Sequence, residues 1–161
     1  MPKLLVAVDG SENAQHAVRY VVKLAPELTR LDVCILNVRD PPVVYGEVSR
    51  YLPKEKTEKW TREVGKKLVA TAEALFHEAS FPCISEVLIG EVAPTIVRRA
   101  KELGCDAIVM GSRGMTSLKN LVLGSIASRV VHLSDIPVVL VKASALNQHA
   151  RTAGAALLID D

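Results

Sequence analysis

The chain has 161 residues, the usual size of one domain. Hydrophobic residues make up 49%, charged residues 24% and aromatic residues only 4%, so we expect an aliphatic globular core. A net charge of +2 argues against binding to nucleic acid, which requires a concentrated basic surface. The lysines of Lys54–Lys67 alternate with acids, which is typical of a solvated helix face.

Short apolar runs predict strands that are buried on both faces of a parallel sheet, because most of them are continuous rather than alternating. They are Leu4–Val8, Cys34–Val38, Cys83–Ile89, Ala107–Met110 and Pro137–Val141. The third run differs, because Ile84-Ser85-Glu86-Val87 mixes polar and apolar residues. That mixture indicates a partly exposed edge strand.

Helical patterns lie between these runs. Ser11 or Asn13 can cap the first helix, and Gly104 can end the third. The second and longest helix repeats apolar residues near every fourth position: Trp60, Val64, Leu68, Leu75 and Ala79. The fourth helix begins at Gly124-Ser125.

The alternation of strands and helices predicts the α/β class: a single doubly wound open sheet of five parallel strands with four helices. Ligands of such sheets bind outside the carboxyl ends of the strands, where the strand order reverses. The candidate binding loops are therefore Asp9–Ser11, Arg39–Pro53 and Gly111–Leu123. The second of these is long enough to be a binding loop or a lid.

The strongest functional signal is a loop framed by glycines. Gly111-Ser112-Arg113-Gly114 follows a strand, and Gly124-Ser125 opens a helix after a nine-residue spacer. Glycines let backbone N–H groups approach an anion, and a helix N-terminus adds unpaired donors. The alternative is that each glycine serves only a turn or a helix start. That alternative does not explain the nine-residue spacer between the two glycine pairs, so we favour anion binding.

Asp9 is a second candidate, in the segment Val8-Asp9-Gly10-Ser11. A carboxylate at the end of the first strand can accept hydrogen bonds from ribose hydroxyls or from a water bound to Mg²⁺. Alternatively, Asp9 or Ser11 caps the first helix, and the sequence leaves both roles open. The common nucleotide motifs, G-x-x-x-x-G-K-S/T and G-x-G-x-x-G after the first strand, are absent.

Residues 2–142 resemble the universal stress protein family. The resemblance rests on the first strand with its Asp9-Gly10-Ser11 end, on Asn37-Val38, on Gly90, and on the fourth and fifth strands with the glycine loop between them. In that family the pattern G-x2-G-x9-G-S/T marks ATP-binding members, and this sequence fills every fixed position. The resemblance implies an adenine nucleotide alpha hydrolase-like fold, strand order 3-2-1-4-5, over a domain 1–142.

The resemblance also implies a ligand, ATP with Mg²⁺, with AMP or ADP as alternatives. Asp9 would lie by the ribose and would hold the metal through a water molecule. Val38 would meet the adenine through its backbone.

By the same resemblance, the glycine loop would hold the rest of the nucleotide. Gly111 and Gly114 would line the ribose and phosphates. Gly124 and Ser125 would hold the phosphates through N–H and hydroxyl donors. Arg113 matches a commonly basic position of the family.

The last strand offers a surface for a partner. Pro137–Val141 is expected at the sheet edge, where an apolar and unpaired strand promotes association. Family members commonly dimerise through this strand, so we expect a homodimer. The alternative is that the tail, residues 143–161, folds back over it; we assign this tail no role. An additional protein partner is compatible with the sequence.

Three functions remain open: a nucleotide-dependent stress-response regulator or sensor, a slow ATPase or phosphotransferase, and a nucleotide-free dimeric interaction module. The sequence places no histidine or second carboxylate beside the phosphates, so efficient turnover is not expected. The complete glycine pattern argues against an empty module. We therefore predict ATP binding with slow or no hydrolysis.

The sequence also suggests a cellular location. Cys34, Cys83 and Cys105 each begin an apolar run, and their odd number leaves at least one unpaired. Buried reduced thiols fit a cytoplasmic protein. We find no targeting segment and no apolar run of the ~20 residues that a membrane span requires.

Overall fold

The computed structural model describes residues 2–27, 30–41, 53–114 and 123–142. Strands and helices alternate along these ranges. The strands are β1 (Lys3–Ala7), β2 (Asp32–Arg39), β3 (Ile84–Ile89), β4 (Ala107–Gly111) and β5 (Val138–Val141). The helices are α1 (Glu12–Leu24), α2 (Lys54–Glu78), α3 (Val92–Glu102) and α4 (Ser125–Leu133), with a 3-10 turn at Ala25–Glu27.

The strands form one parallel sheet in the order β3-β2-β1-β4-β5, as predicted. The chain moves outward from β1 through β2 to β3, and then returns to the other side of β1 for β4 and β5. Ala7, at the end of β1, is in register with Leu36 of β2 and with Met110 of β4. Three carboxyl ends therefore lie side by side at the point where the order reverses.

Two apolar layers cover the sheet. Val6, Ile35 and Val109 pack with α1 and α2, whereas Leu5, Leu36 and Ile108 belong to the opposite layer with α3 and α4. Successive strand residues enter opposite layers, which is why the strand sequences are continuously apolar. No helix within the described ranges is long and apolar enough to cross a membrane.

The helix α2 has the predicted 3.6-residue period, but the centre of its buried face lies one position beyond the predicted stripe. Its fully buried residues are Thr61, Gly65, Val69, Ala72 and Phe76. Trp60 is 67% exposed, and the rest of the predicted stripe lies at the margin of the contact or outside it. The closest approach occurs at Gly65, where a Cβ would lie 2.5 Å from Val87 Cγ1. Small residues, rather than large apolar ones, mark the centre of this contact.

Two of the predicted helix ends are confirmed. Ser11 is the N-cap of α1, and its Oγ accepts a hydrogen bond from the N–H of Ala14 at 3.2 Å. Gly104 lies just beyond α3 with a φ of +64°, in the left-handed region that glycine adopts at helix ends.

Arginines hold the edge strand β3 from two sides. Arg99 donates from Nε and Nη2 to the Glu86 carboxylate at 2.7 and 2.6 Å, and from Nη1 to Glu102 at 3.0 Å. The hydrogen bond from Arg99 holds the pKa of Glu86 below its ordinary value. From α2, Arg62 Nη1 donates to the Val87 carbonyl at 3.3 Å. These side chains cover part of an otherwise open strand edge.

The Glu86 pair predicts a specific acid sensitivity. The pKa of Glu86 is lower in the folded protein than in the unfolded chain. Its stabilising contribution is therefore present above the unfolded pKa of about 4.3 and is lost as the pH falls through the folded pKa. Urea unfolding between pH 6 and pH 3 should show a larger loss of unfolding free energy in the wild type than in Glu86→Gln. Equal pH dependence in the two proteins would contradict this assignment.

Candidate functional site

A cleft of about 530 Å³ opens at the carboxyl ends of β1, β2 and β4. Its volume is in the range of small-molecule sites, and it lies at the strand-order reversal, where such sheets bind ligands. Every residue predicted for the site lines this space: Asp9, Val38, Gly111, Arg113, Gly114, Gly124 and Ser125. Residues 42–52 and 115–122, including Lys119 of the glycine loop, lie outside the described residues.

The β2 side of the cleft is apolar. Leu36 and Val38 of β2 face Val92 and Ile96 of α3, and Met110 of β4 contributes to the floor. Leu36, Val38, Ile96 and Met110 are each at most 8% exposed. A flat apolar group inserted here would be removed from water on several sides.

Asp9 stands between the two sides, because it follows β1 in the middle of the sheet. Its Oδ1 accepts a hydrogen bond from the N–H of Ser11 at 2.9 Å. Its Oδ2 faces Gly114, where a Cβ would lie 2.7 Å away. Of the two candidates for the helix cap, Ser11 is the cap. Asp9 closes the preceding turn with one oxygen, and its other oxygen faces the glycine loop.

The β4 side of the cleft contains the N-terminus of α4. Ser125, Ile126 and Ala127 form its first turn, where backbone N–H groups have no acceptor within the helix, and the N-cap residue, Gly124, has no side chain to cap them. All three residues line the cleft. This terminus therefore offers donors and a partial positive charge to an anion.

The donors of this terminus differ in part from those implied by the resemblance. The N–H of Gly124 donates to the Ser112 carbonyl at 2.8 Å, so it is already engaged within the protein. Ile126 and Ala127, which sequence reasoning missed, present N–H groups of the first turn instead. The helix start at Ser125 was the signal that could have identified them.

Close packing explains the glycines of the loop. A Cβ on Gly111 would lie 2.7 to 2.9 Å from atoms of Asn13 and Ala14, so α1 can approach the end of β4 only because the side chain is missing. A Cβ on Gly124 would lie 3.2 Å from Arg113 Cα. Gly111 therefore serves neither a turn nor a helix start, the alternative weighed from the sequence, but ends β4 where α1 packs against it; Gly114 faces Asp9.

The charges that the described residues bring to the cleft balance. Among the described residues, Arg39 and Arg113 supply two cations, and Asp9 and Asp40 supply two carboxylates. The carbonyl of Arg113 lies 3.5 Å from Ser11 Oγ, which brings the glycine loop next to the first turn. No group of three or more His, Cys, Asp or Glu side chains gathers as a metal site in the described part of the chain.

Two glycine substitutions in the loop should differ in how much they lower the unfolding free energy. Gly111→Ala should lower the unfolding free energy by about 1–3 kcal/mol, because its Cβ meets the backbone of α1. Gly114→Ala meets the end of a side chain, Asp9, which can rotate away, so it should cost less. Urea unfolding followed by far-ultraviolet circular dichroism measures both. A larger loss in Gly114→Ala than in Gly111→Ala would contradict the packing described here.

Comparison with known proteins gives a consistent result. The model of the universal stress protein family matches residues 1–142. The universal stress protein YxiE of Bacillus subtilis is 34% identical over 146 residues, which cover 87% of this chain and 98% of YxiE. MJ0577 is a universal stress protein of Methanocaldococcus jannaschii. Its solved structure superposes on this chain with a TM-score of 0.70 at 28% identity. The match covers 88% of this chain and 95% of that one.

A plant structure with a bound ligand shares the fold. It is a universal stress protein family protein from Arabidopsis thaliana, At3g01520, with AMP bound. Its TM-score is 0.62 at 17% identity, covering 90% of this chain and 94% of the plant protein. At that identity the likeness establishes the fold alone.

Proposed function

The chain belongs to the universal stress protein family, and on that basis we propose that it is a stress-response regulator that binds ATP in the cleft. One observation carries the proposal: the order of chemical groups across the cleft. An apolar slot on the β2 side is followed by the Asp9 carboxylate and then by the N-terminus of α4, whose N-cap is Gly124. Base, sugar and phosphates follow one another in the same order in a nucleotide.

Each part of a nucleotide then has a partner of suitable chemistry. Adenine would occupy the slot beside the backbone of Val38, and the ribose hydroxyls would donate to Asp9. The phosphates would accept hydrogen bonds from the first turn of α4 and from the Ser125 hydroxyl, with Arg113 adding a full charge. The plant protein, which its own description places in the same family, has AMP bound, and we therefore propose an adenine nucleotide; ADP and AMP are the alternatives to ATP.

The residues present fit Mg²⁺ as a companion of the phosphates. Mg²⁺ commonly takes one or two carboxylates, and water and phosphate oxygens supply its remaining ligands. Asp9 is the carboxylate beside the glycine loop, and within the described residues its Oδ2 accepts no hydrogen bond. We propose that Asp9 holds the ion through a water molecule. The bound ion would offset part of the phosphate charge.

The regulatory output follows from binding rather than from turnover. No general base beside the phosphates was predicted from the sequence, so we propose that ATP is hydrolysed slowly or not at all. The alternative, an ATPase or phosphotransferase, requires steady turnover by the purified protein. A turnover number of about 1 s⁻¹ or more would favour that alternative, because this is the lower end for typical enzymes.

Calorimetry tests the binding proposal. The purified protein is denatured, the released small molecules are identified, and refolded or ligand-free protein is titrated with Mg-ATP, AMP and cyclic AMP. We expect micromolar binding of at least one adenine nucleotide. The absence of binding by all three would refute the proposed function.

Substitutions in α4 test the location of the phosphates. Ser125→Ala should weaken ATP binding about tenfold, the loss expected for a hydrogen bond to a charged group. Ser128→Ala is the matched control, because Ser128 is exposed on the same helix and does not line the cleft. Gly124→Val should remove phosphate affinity while the fold survives, because its side chain pushes the loop from α4. A folded Gly124→Val protein with unchanged ATP affinity would count against the site.

We also propose that two copies of the chain pair through β5. Ile108 and Ser112 donate from their N–H groups to the carbonyls of Pro137 and Val141. Strand residues alternate in direction, so the N–H and C=O groups of Val138 and Leu140 point away from β4. They have no partner within the described residues. The opposite edge differs, because Arg62 already occupies a β3 carbonyl.

Sedimentation velocity tests the β5 interface. Leu140→Pro removes an outward N–H and leaves the hydrogen bonds to β4 in place, so it should convert a dimer into a monomer. Leu140→Ala keeps the N–H and should remain dimeric. A wild-type monomer, or a dimer that survives Leu140→Pro, would contradict this interface.

The thiols suit the predicted cytoplasmic location, which stays part of the proposal. Cys34, Cys83 and Cys105 are all free. Burial raises the pKa of Cys34 to about 12 and also raises the pKa of the other two. Protonated thiols react slowly with oxidants.

The division into a domain 1–142 and a tail 143–161 is likewise retained as a prediction, and the tail lies outside the described residues.

A further inference from the structure

Asn37 is a polar residue in the apolar layer between the sheet and α2. It lies on β2 and is 1% exposed. Its Nδ2 donates to the Val8 carbonyl at 2.7 Å. Its Oδ1 is buried and has no hydrogen-bond partner among the described residues. Gly65 of α2 lies directly against this oxygen, since a Cβ there would be 2.8 Å from it.

Stability alone does not explain an amide at this position. An unpaired buried oxygen lowers stability, whereas an aliphatic side chain of similar size would avoid that cost. Val33 and Ile35, the two preceding residues of β2 that face the same layer, are aliphatic. The one bond that distinguishes Asn37 from them is its hydrogen bond to Val8.

That bond stands where the pairing of β1 with β2 ends. The last register pair is Ala7 with Leu36, and the N–H of Val8 still donates to the Leu36 carbonyl at 2.9 Å. The Val8 carbonyl is held by the Asn37 side chain instead of by the next backbone N–H. The amide therefore closes the ladder and fixes the peptide from which the chain turns away.

The turn that follows is held at two more points. Gly10 has a φ of +86°, and a Cβ on it would lie 2.7 Å from Leu68 Cδ2, so α2 packs closely on the turn. The Ser11 N–H donates to Asp9 Oδ1 at 2.9 Å. Asp9 thus receives its position from a fixed peptide before it and a capped helix after it.

We propose that Asn37 is a positioning residue of the nucleotide site, an inference that rests on the proposed function. Its hydrogen bond joins Val8 to β2, and the residue after each partner, Asp9 and Val38, lines the cleft. Asn37 itself does not line the cleft. It fixes the distance between the strand end beside the base and the carboxylate beside the ribose. The anion-binding terminus of α4 does not depend on it.

The proposal predicts a loss of affinity that depends on the ligand. Loosening Asp9 relative to Val38 weakens binding of a nucleoside part and spares an isolated polyphosphate. Full-length Asn37→Ala should bind ATP and AMP about tenfold more weakly than the wild type, and inorganic tripolyphosphate with unchanged affinity. Asn37→Ser keeps a donor of shorter reach and should lose less.

Val69→Ala is the matched control. Val69 is 3% exposed in the same layer on α2 and does not line the cleft, so this variant loses stability without touching the bond to Val8. It should bind all three ligands as the wild type does. If ATP and tripolyphosphate affinities fall together in Asn37→Ala, or if Val69→Ala shows the same selective loss, the positioning role is refuted.

Amide hydrogen exchange without nucleotide separates this proposal from the proposed function. In Asn37→Ala and Asn37→Ser the Ser11 N–H should exchange faster than in the wild type. The exchange rates of the β2 amides should change no more than they do in Val69→Ala. Unchanged exchange at Ser11 in both folded variants overturns the role of Asn37. If the wild type binds no adenine nucleotide, the proposed function is refuted. The exchange rate of the Ser11 N–H then still decides whether Asn37 positions Asp9.

Discussion

The strand order reverses beside β1, and this reversal determines where the cleft and the elements around it lie. It sets the carboxyl ends of β1 and β4 side by side, with their following helices on opposite faces of the sheet. The two chain segments must then pass each other at close range. Gly111 admits the backbone of α1, and Gly124 admits the Arg113–Gly114 turn. A cleft remains between them, with Asp9 and Ser11 on one side and Gly114, Gly124 and Ser125 on the other.

The chemistry of the cleft follows from the same topology. Strand β2 brings aliphatic side chains from one direction, and the N-terminus of α4, with Gly124 as its N-cap, lies on the other. Asp9 lies between them because β1 is the central strand. Its position depends on contacts outside the cleft, including the Asn37 amide and the packing of α2 on Gly10. The residues that line the cleft and the core residues that hold them in place thus form one continuous set of contacts.

Local sequence signals were sufficient to predict the strands, the helix caps and the positions of the loop glycines at the edge of the cleft. Continuous apolar runs mark strands buried on both faces, and Ser11 and Gly104 have conformational reasons that act within a few residues. The buried face of α2 was misplaced by one position, because its centre is set by Gly65 against Val87 on another element. The engaged N–H of Gly124 and the role of Asn37 were missed for a related reason. Their partners are backbone carbonyls distant in sequence, which no spacing pattern encodes.

Binding of Mg-ATP in the cleft can be followed by the backbone amide shifts of the isotope-labelled full-length protein during titration. The shifts should be saturable and largest for Ser125, Ile126 and Ala127, with smaller shifts for Val38, Asp9 and Ser11, since these residues line one cleft. Shifts confined to other parts of the chain, or no saturable shift at all, would contradict it.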